Sequence, residues 1–234
     1  MEKLIINNET DNNIIRNLEK LNIDIIKTVN NDNLLYPLRA HPDMLIHVLP
    51  NGNIIADRDN FLYYENKLKN FKVIKSEKSL SSEYPNDIVL NGVCFKNLFI
   101  HNLKYTDKNL LDYYRENGYE LIDVKQGYTK CNIAVGKNVL ITSDMDIYEK
   151  VKSHANILLI DHKQIKLEGF NYGFIGGASG LINDTLYFTG SLKSHSSYNK
   201  IIDFLNENNE KYSFLSNNDI IDYGSIIFLK NIEK

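Results

Sequence analysis

The stretch Gly127-Tyr128-Thr129-Lys130-Cys131-Asn132-Ile133-Ala134-Val135-Gly136 lies near the middle of the 234-residue chain, and its recurrence indicates the fold. A glycine opens it, an apolar run closes it, and it carries one of only two cysteines. Similar stretches begin at Asp43, Asp87 and Gly176, so the four anchor positions, Cys131 included, follow one another at intervals of 44, 44 and 45 residues. Self-similarity at such a period is typical of repeat architectures.

Each repeat follows the same predicted order of two strands joined by a short turn, a helix and a closing strand. Asn51-Gly52 marks the first turn, because both residues tolerate the positive φ that a hairpin requires. The same pattern predicts hairpin turns at Asn91-Gly92, Gly136-Lys137-Asn138 and Asn183-Asp184. In the third repeat, residues 131–135 are predicted as the first strand, with the cysteine at its start.

A fifth repeat is split between the two ends of the sequence. Its first strand is Gly224-Ser225-Ile226-Ile227-Phe228-Leu229, and the missing strand, helix and strand are found in residues 3–29. Four complete ββαβ units and one split unit predict a five-fold pseudosymmetric α/β propeller, closed by pairing of the first and last strands, which removes two sheet edges. No linker or low-complexity break appears, so residues 1–234 are expected to form one domain.

Gly173-Phe174-Ile175-Gly176-Gly177-Ala178-Ser179-Gly180 superficially resembles a phosphate-binding loop. Such a loop must open a helix, whereas this segment runs into another predicted strand, Leu186-Tyr187-Phe188. The glycines are therefore interpreted as a tight turn beside the pore, and a doubly wound nucleotide-binding fold is not expected. An all-β propeller is not expected either, since its four-stranded blades leave no room for the helices.

Composition limits the classes of function. The chain is 43% hydrophobic and 24% charged with a net charge of −3, and it has no Lys/Arg cluster to bind nucleic acid. No apolar run approaches the 18 residues of a membrane span, and two cysteines make no disulfide framework. These observations predict a cytoplasmic protein with no cofactor, no nucleic-acid partner and no membrane association, and they leave the oligomeric state open.

Polar residues are expected to meet at one rim of the propeller, because the start of the first strand and the end of the second lie at the same edge of a hairpin. The rim is predicted to contain His41, Asp43, Asp57, Arg58, Asp59, Asn86, Asp87, His101, Asn102, Lys130, Cys131, Asn132, Ser143, Asp144, Lys193 and His195. A thiol, imidazoles and carboxylates thus converge, as a catalytic constellation requires.

Each candidate also has a structural interpretation. Cys131 is equally compatible with an inert apolar side chain, although a neighbouring cation such as Lys130 would favour a thiolate. His41 and Asp43 are typical turn-capping residues, and Asp57-Arg58-Asp59 is typical of a solvated ion pair. No metal is predicted at His41, Asp43 and His47, because their 2- and 6-residue spacing fits no strong ligand pattern.

The chain resembles the penteins, the five-bladed α/β propellers, and more closely an uncharacterised bacterial pentein-like family. The resemblance is carried by His41-Pro42-Asp43-Met44, by Gln126-Gly127-Tyr128-Thr129-Lys130-Cys131, by Ile141-Thr142-Ser143-Asp144 and by the glycine-rich segment from Gly173 to Gly180. Penteins include cysteine enzymes that modify guanidines (arginine deiminases, dimethylarginine hydrolases, amidinotransferases) and a non-catalytic ribosome anti-association factor.

The resulting hypothesis is a cysteine-dependent hydrolase or transferase that acts on a small guanidine- or amidine-like substrate in the central pore. Cys131 would attack the electrophilic carbon, and an imidazole, His41 ahead of His101, would shuttle protons. Asp43, together with Asp144 or Asp57, would hold the planar cation. The remaining substrate-binding candidates are Lys130, Asn132 and Asn86.

One departure from the catalytic penteins supports an alternative. Those enzymes have their cysteine in the last module, which here begins Tyr223-Gly224-Ser225, whereas Cys131 belongs to the third. The alternative is a non-catalytic pentein that binds a small metabolite or a protein partner.

Overall fold

The computed structural model describes residues 2–230, which form a mixed α/β fold with five separate three-stranded sheets. The strands are β1 (Glu2–Ile6), β2 (Asp24–Lys27), β3 (Ile46–Val48), β4 (Ile54–Ala56), β5 (Val73–Lys75), β6 (Val93–Phe95), β7 (Leu98–His101), β8 (Glu120–Asp123), β9 (Ala134–Val135), β10 (Leu140–Thr142), β11 (Ile157–Leu159), β12 (Ser179–Ile182), β13 (Thr185–Phe188), β14 (Lys211–Phe214) and β15 (Ile227–Lys230). The helices are α1 (Asn12–Glu19), α2 (Pro42–Leu45), α3 (Phe61–Lys67), α4 (Lys108–Glu116), α5 (Thr129–Asn132), α6 (Met145–Val151) and α7 (Tyr198–Glu207).

Each sheet is built in the same way. Two strands pair antiparallel, and a helix then carries the chain to a third strand that pairs parallel with the second, as in β3, β4, α3 and β5. A parallel neighbour needs such a crossover, because a tight turn can only reverse the chain. The structure thus has one three-stranded sheet for each of the five predicted modules. No sheet formed by residues 2–230 closes on itself, so closure of the propeller stays a prediction.

The split module joins the two ends of the described chain. β1 pairs antiparallel with β15, with Leu4 opposite Phe228 and Ile5 opposite Ile227, and it pairs parallel with β2 on its other side. Leu4, Ile5 and Ile6 are at most 1% exposed. The predicted pairing of the first strand with the last is therefore confirmed. Among residues 2–230, none of the helices has the length and apolar character that a bilayer span requires.

Two segments predicted as strand begin as one-turn helices. Cys131 lies in α5 rather than in a strand, and the third module's first strand is only β9. The Asn91 side-chain oxygen accepts hydrogen bonds from the backbone N–H groups of Lys130 and Cys131, which turns these groups away from a strand ladder. The first module behaves likewise: residues 44–49 are predicted as a strand, but Pro42 opens α2 with the fixed φ of a first helical position.

The second hairpin turns at a different place from the one predicted. β6 and β7 are joined at Lys96, which has a φ of 54°, with Phe95 opposite Leu98. Asn91-Gly92 instead precedes β6, and the Asn91 side chain bonds to the backbone of α5. The fourth hairpin does turn at Asn183-Asp184, where both residues have positive φ, as the sequence predicted.

Gly176 allows α5 to pack tightly against the fourth module. A Cβ atom at this position would lie 2.2 Å from the carbonyl oxygen of Lys130, 2.4 Å from that of Ile133 and 2.6 Å from that of Cys131. Backbone atoms cannot swing aside as a flexible side chain does. The glycine is therefore required for the close approach, in agreement with the interpretation of this segment as a tight turn.

We expect Gly176→Ala to lower the free energy of unfolding by about 3 kcal/mol or more, because the added methyl group overpacks the interface. The matched control is Gly118→Ala. Gly118 has a φ of +74° but nothing within 4 Å of its Cβ position, so this change should cost only the backbone strain, about 1–2 kcal/mol. Urea denaturation measures both, and equal losses would contradict the predicted clash.

Candidate functional site

A pocket of about 410 Å³, which we name the thiol pocket, brings several chemically active side chains together. It is lined by Leu38, His41, Gln126, Tyr128, Cys131, Leu167, Phe170, Asn171, Tyr172, Phe174 and Asp222. Aromatic and aliphatic side chains make up most of the wall, and a thiol, an imidazole and a carboxyl group supply its chemistry. This mixture of apolar wall and few polar groups is typical of small-molecule sites.

His41 and Asp222 form a buried pair in this pocket. The Nδ1 atom of His41 is 4.0 Å from Oδ1 of Asp222, and it has no hydrogen-bond partner. The backbone N–H groups of Phe174 and Gly224 donate to the two Asp222 oxygens at 2.9 Å each. Burial, opposed by His41 and assisted by the nearby carboxylate of Asp43, raises the pKa of Asp222 to about 6.

Asn91 holds the thiol in place. Its side-chain amide donates to Sγ of Cys131 at 3.2 Å and to the carbonyl oxygen of Asp43 at 2.9 Å. Its oxygen accepts from the backbone N–H groups of Lys130 at 2.8 Å and Cys131 at 3.2 Å. One fully buried amide thus fixes both the backbone of α5 and the sulfur atom. A donor aimed at sulfur favours the thiolate.

The resting thiol is nevertheless protonated. Cys131 is 3% exposed, and this burial raises its pKa well above the ordinary value, with the carboxylates of Asp43 and Asp222 adding to the increase. Lys130 was expected to favour the thiolate, but its Nζ atom donates to Oγ of Ser225 at 3.0 Å, and burial lowers its own pKa. The structure therefore does not show the expected activation of the thiol by Lys130.

Asp43 and Lys130 both form hydrogen bonds with the hydroxyl of Ser225. The Ser225 hydroxyl is 2.7 Å from Oδ2 of Asp43 and 3.0 Å from the carbonyl oxygen of Gly176. Asp43 is 1% exposed, and its Oδ1 atom has no hydrogen-bond partner. Asp43 and Lys130 line a second cavity of about 170 Å³ rather than the thiol pocket.

Two of the predicted rim residues serve a local structural purpose. Asp57 is fully buried and accepts hydrogen bonds from the Asn31 side chain and from backbone N–H groups just before α3. His101 is also fully buried; its ring nitrogens contact Thr106 Oγ1 at 2.8 Å and the Gly127 carbonyl at 3.2 Å. Burial lowers the pKa of His101 to about 4, so it is neutral. Neither residue lines the thiol pocket.

Three other candidates also lie outside the pocket lining. Asn86 is exposed and belongs to a separate surface pocket. The Asn132 side-chain oxygen accepts from Thr142 Oγ1 at 2.6 Å. Asp144 caps α6, and its Oδ2 atom accepts a hydrogen bond of 3.1 Å from Gln126, which does line the thiol pocket. Among residues 2–230, no group of three His, Cys, Asp or Glu side chains is arranged to hold a metal ion.

The sequence interpretation missed Asp222, Asn91 and Ser225 as site residues. Asp222 follows Gly176 by 46 residues and so continues the 44-residue period into the split module, a signal that could have identified it. Asn91 was not identified because Asn91-Gly92 is typical of a hairpin turn. Ser225 was noted only for the absence of a cysteine, although its positive φ of 72° places its hydroxyl between Asp43 and Lys130.

We expect Asn91→Ala to raise the pH at which half of Cys131 reacts with iodoacetamide, because the change removes the donor that favours the thiolate. Buried N–H groups would lose their acceptor, so the free energy of unfolding should also fall by about 1–3 kcal/mol. Alkylation is carried out under native conditions, and peptide mass spectrometry then measures the modified fraction of Cys131. Asn86→Ala, at an exposed position, is the matched control; an unshifted midpoint in Asn91→Ala would contradict the assigned role.

Comparison with solved structures identifies the fold. A dimethylarginine dimethylaminohydrolase (DDAH) from Pseudomonas aeruginosa, complexed with citrulline, matches with a TM-score of 0.59 and 11% identity, over 92% of this chain and 91% of that one. Agmatine deiminase from C. jejuni gives 0.54 and 9% identity over 97% and 92%. The amidinotransferase SxtG from Microseira wollei gives 0.54 and 12% identity over 92% and 88%. The chain thus has the pentein fold, as its sequence indicated.

A search of curated proteins finds no match. The model of a family of unknown function, DUF6873, matches residues 5–227, which is nearly the whole chain. This agrees with the resemblance to an uncharacterised pentein-like family that the sequence motifs indicated. The protein with this thiol pocket is therefore a member of the DUF6873 family.

Proposed function

We propose that the protein is a cysteine-dependent hydrolase or transferase that acts on a small guanidine- or amidine-like substrate in the thiol pocket. One observation carries the proposal: a single pocket contains the thiol of Cys131, the imidazole of His41 and the carboxyl group of Asp222. Nucleophile, acid–base group and carboxylate are the parts that covalent catalysis on such a substrate requires. Solved structures with the same fold include enzymes named for guanidine chemistry.

The pocket suits a planar cation. Asp222 offers a carboxylate to the N–H groups of a guanidinium, and the rings of Tyr128, Tyr172 and Phe174 offer π-faces to its positive charge. A volume of about 410 Å³ is within the range of roughly 300–1,000 Å³ for small-molecule sites. Asp222 therefore takes over the cation-holding role that the sequence had suggested for Asp43, and Asp144 supports it indirectly through Gln126.

The proposed reaction has two halves. His41 takes the thiol proton as Sγ of Cys131 attacks the central carbon, and it returns that proton to the departing nitrogen as the C–N bond breaks. A covalent amidino-cysteine results. Water or an acceptor amine then adds to the same carbon, gives a proton to His41 and displaces the thiol, which regains it. The positive charge of a bound substrate would oppose the carboxylates that hold the thiol protonated.

A specific observation supports the alternative, a non-catalytic pocket that binds a small metabolite. The thiol is almost completely buried and its pKa is raised, whereas attacking cysteines ordinarily have a lowered pKa. In that case the pocket would bind the same kind of cation without forming a covalent bond. The two functions share a ligand class and differ in chemistry, so one experiment can distinguish them.

The experiment incubates the purified protein with agmatine, arginine and methylated arginines. Ureido product and released amine or ammonia are measured, and intact-mass spectrometry under single-turnover conditions looks for an adduct on Cys131. Turnover with a transient adduct supports the enzyme. Binding by calorimetry without product or adduct supports the alternative, and no binding of any of these cations would refute both.

We expect cation binding to weaken as the pH falls through about 6, the pKa of Asp222. Above that pH the carboxyl group is charged and attracts the ligand; at about one unit below, roughly nine-tenths of it is neutral, and Kd should be about tenfold higher. Calorimetry with agmatine and Cys131→Ala protein avoids turnover. Asp222→Asn should bind weakly at every pH, and an unchanged pH profile in this variant would contradict the role of Asp222.

We further infer that residues 1–234 form one closed propeller domain that works in the cytoplasm. Pairing of β1 with β15 supports closure, as does the second cavity, which receives side chains from β3, β6, β9, β12 and β15, one strand from every module. Both cysteines are free thiols, as is usual for reducing compartments.

A further inference from the structure

The second cavity, which we name the five-strand cavity, is separate from the thiol pocket. It measures about 170 Å³ and is lined by residues of β3, β6, β9, β12 and β15, with Asp43 and Lys130. Neither charged side chain lines the thiol pocket, and Cys131 does not line this cavity. The chemistry proposed above therefore leaves the cavity and its charged pair unused.

The side chains of Asp43 and Lys130 both have unused hydrogen-bonding capacity. Oδ2 of Asp43 is bonded to Ser225, but Oδ1 is buried without a partner. An ammonium group has three N–H donors. Among residues 2–230, the Nζ atom of Lys130 donates only to Ser225. A buried carboxylate oxygen without a donor is costly, so a ligand that supplies one would be bound favourably.

Apart from Cys94 and His47, whose ring nitrogens contact the Leu90 carbonyl and the Tyr114 hydroxyl, the rest of the lining is apolar. Ile46 and Val48 of β3, Val135 of β9, Leu181 of β12 and Phe228 of β15 surround the charged pair. Four of these five residues (all except Ile46) are only partly buried, which shows that the cavity reaches the surface. Its volume is close to the roughly 150 Å³ of an apolar cavity that accepts benzene, so it has room for a branched chain of a few carbon atoms.

We propose that the five-strand cavity binds a small apolar α-amino acid, whose ammonium group contacts Asp43, whose carboxylate contacts Lys130 and whose side chain contacts the apolar wall. One anion and one cation side by side match a zwitterion, and neither a simple amine nor a simple acid satisfies both. Binding at this site does not require any reaction in the thiol pocket.

Binding here also affects the thiol. After burial, the carboxylate of Asp43 has the largest effect among the influences that keep Cys131 protonated. An ammonium group on Asp43 offsets this negative charge, so the thiolate forms more readily when the cavity is occupied. The amino acid thereby acts as an activator of Cys131.

Calorimetry on the full chain at pH 7.5 tests the site with L-valine and two analogues that each lack one charge, 3-methylbutanoate and isobutylamine. Valine should bind, and each analogue should bind at least about tenfold more weakly, the effect of losing one charge-assisted hydrogen bond. Equal affinity for either analogue, or no binding of valine, overturns the proposal.

Two variants locate the binding. Lys130→Met removes the cation and should weaken the binding of valine at least about tenfold. Lys137→Met is the matched control, because Lys137 is exposed and paired with Asp184. Leu181→Phe keeps both charges and fills the cavity, so it should also abolish binding; thermal melting checks that each variant is folded. Unchanged affinity in a folded Leu181→Phe protein overturns the location.

Alkylation of Cys131 provides an independent readout. Saturating valine should increase the rate of its reaction with iodoacetamide at pH 7.5, and 3-methylbutanoate at the same concentration should not. Peptide mass spectrometry quantifies the modified cysteine. A rate that valine leaves unchanged overturns the placement of its ammonium group on Asp43.

Discussion

Cys131→Ala protein is expected to lose turnover of guanidine or amidine substrates by at least about a thousandfold, because no other thiol lines the pocket beside His41 and Asp222. The covalent adduct seen by mass spectrometry should disappear with it. Since the resting thiol is neutral, its removal should change the affinity for agmatine by no more than about threefold, well below the effect of removing a charge-assisted contact.

Comparing the turnover of Cys131→Ala with its affinity for agmatine separates catalysis from binding. A loss of turnover with retained binding assigns the chemistry to Cys131 itself. Cys131→Ser provides a second test, since a hydroxyl of similar size keeps the packing but is a much weaker nucleophile. Wild-type turnover in Cys131→Ala would eliminate the cysteine mechanism, and wild-type protein that binds without turnover would leave the non-catalytic pocket as the function.

Removal of residues 1–8 is expected to abolish cooperative unfolding. This segment contains β1, which is the central strand of its sheet between β15 and β2. Leu4, Ile5 and Ile6 are buried, and truncation of one such side chain typically costs about 2–5 kcal/mol. Three together reach the whole stability of an ordinary domain, about 5–15 kcal/mol.

Urea denaturation followed by circular dichroism measures this loss. Ile5→Ala should give an intermediate result, a loss of about 2–5 kcal/mol with the transition still cooperative. Glu2→Ala is the surface control in the same strand; its pair with Lys230 is exposed, and its loss should change the free energy of unfolding by less than about 1 kcal/mol. A truncated protein that melts like the intact one would show that the two ends are not needed to complete the fold.

The repeat was accessible from sequence because it rests on local signals. Turn residues such as Asn183-Asp184 and β-branched strands recur with each module, and a fixed period reveals them without any long-range information. The hairpin at Lys96 was not accessible, because a lysine with positive φ has no sequence signature and Asn91-Gly92 offers a stronger one nearby.

The site was predictable only in outline. The period brought Asp43 and Cys131 to equivalent positions, but it could not show which of them lines which cavity. That distinction depends on α5, a single helical turn held by the Asn91 side chain, which is a tertiary contact 40 residues away from Cys131. Burial likewise outweighs the expected effect of Lys130 on the thiol, and the ammonium group of Lys130 donates to Ser225.

Pairing of β1 with β15 has a consequence for synthesis of the chain. Ile5 and its partner Ile227 are 222 residues apart, so at about 5–20 residues per second the ribosome needs roughly 10–45 s to deliver the second strand after the first. During that interval the edge of β1 that β15 will cover is open to other chains. A circular permutant with new ends at Asn183-Asp184 makes β15 and β1 in immediate succession and removes the delay, so it should aggregate less during rapid expression.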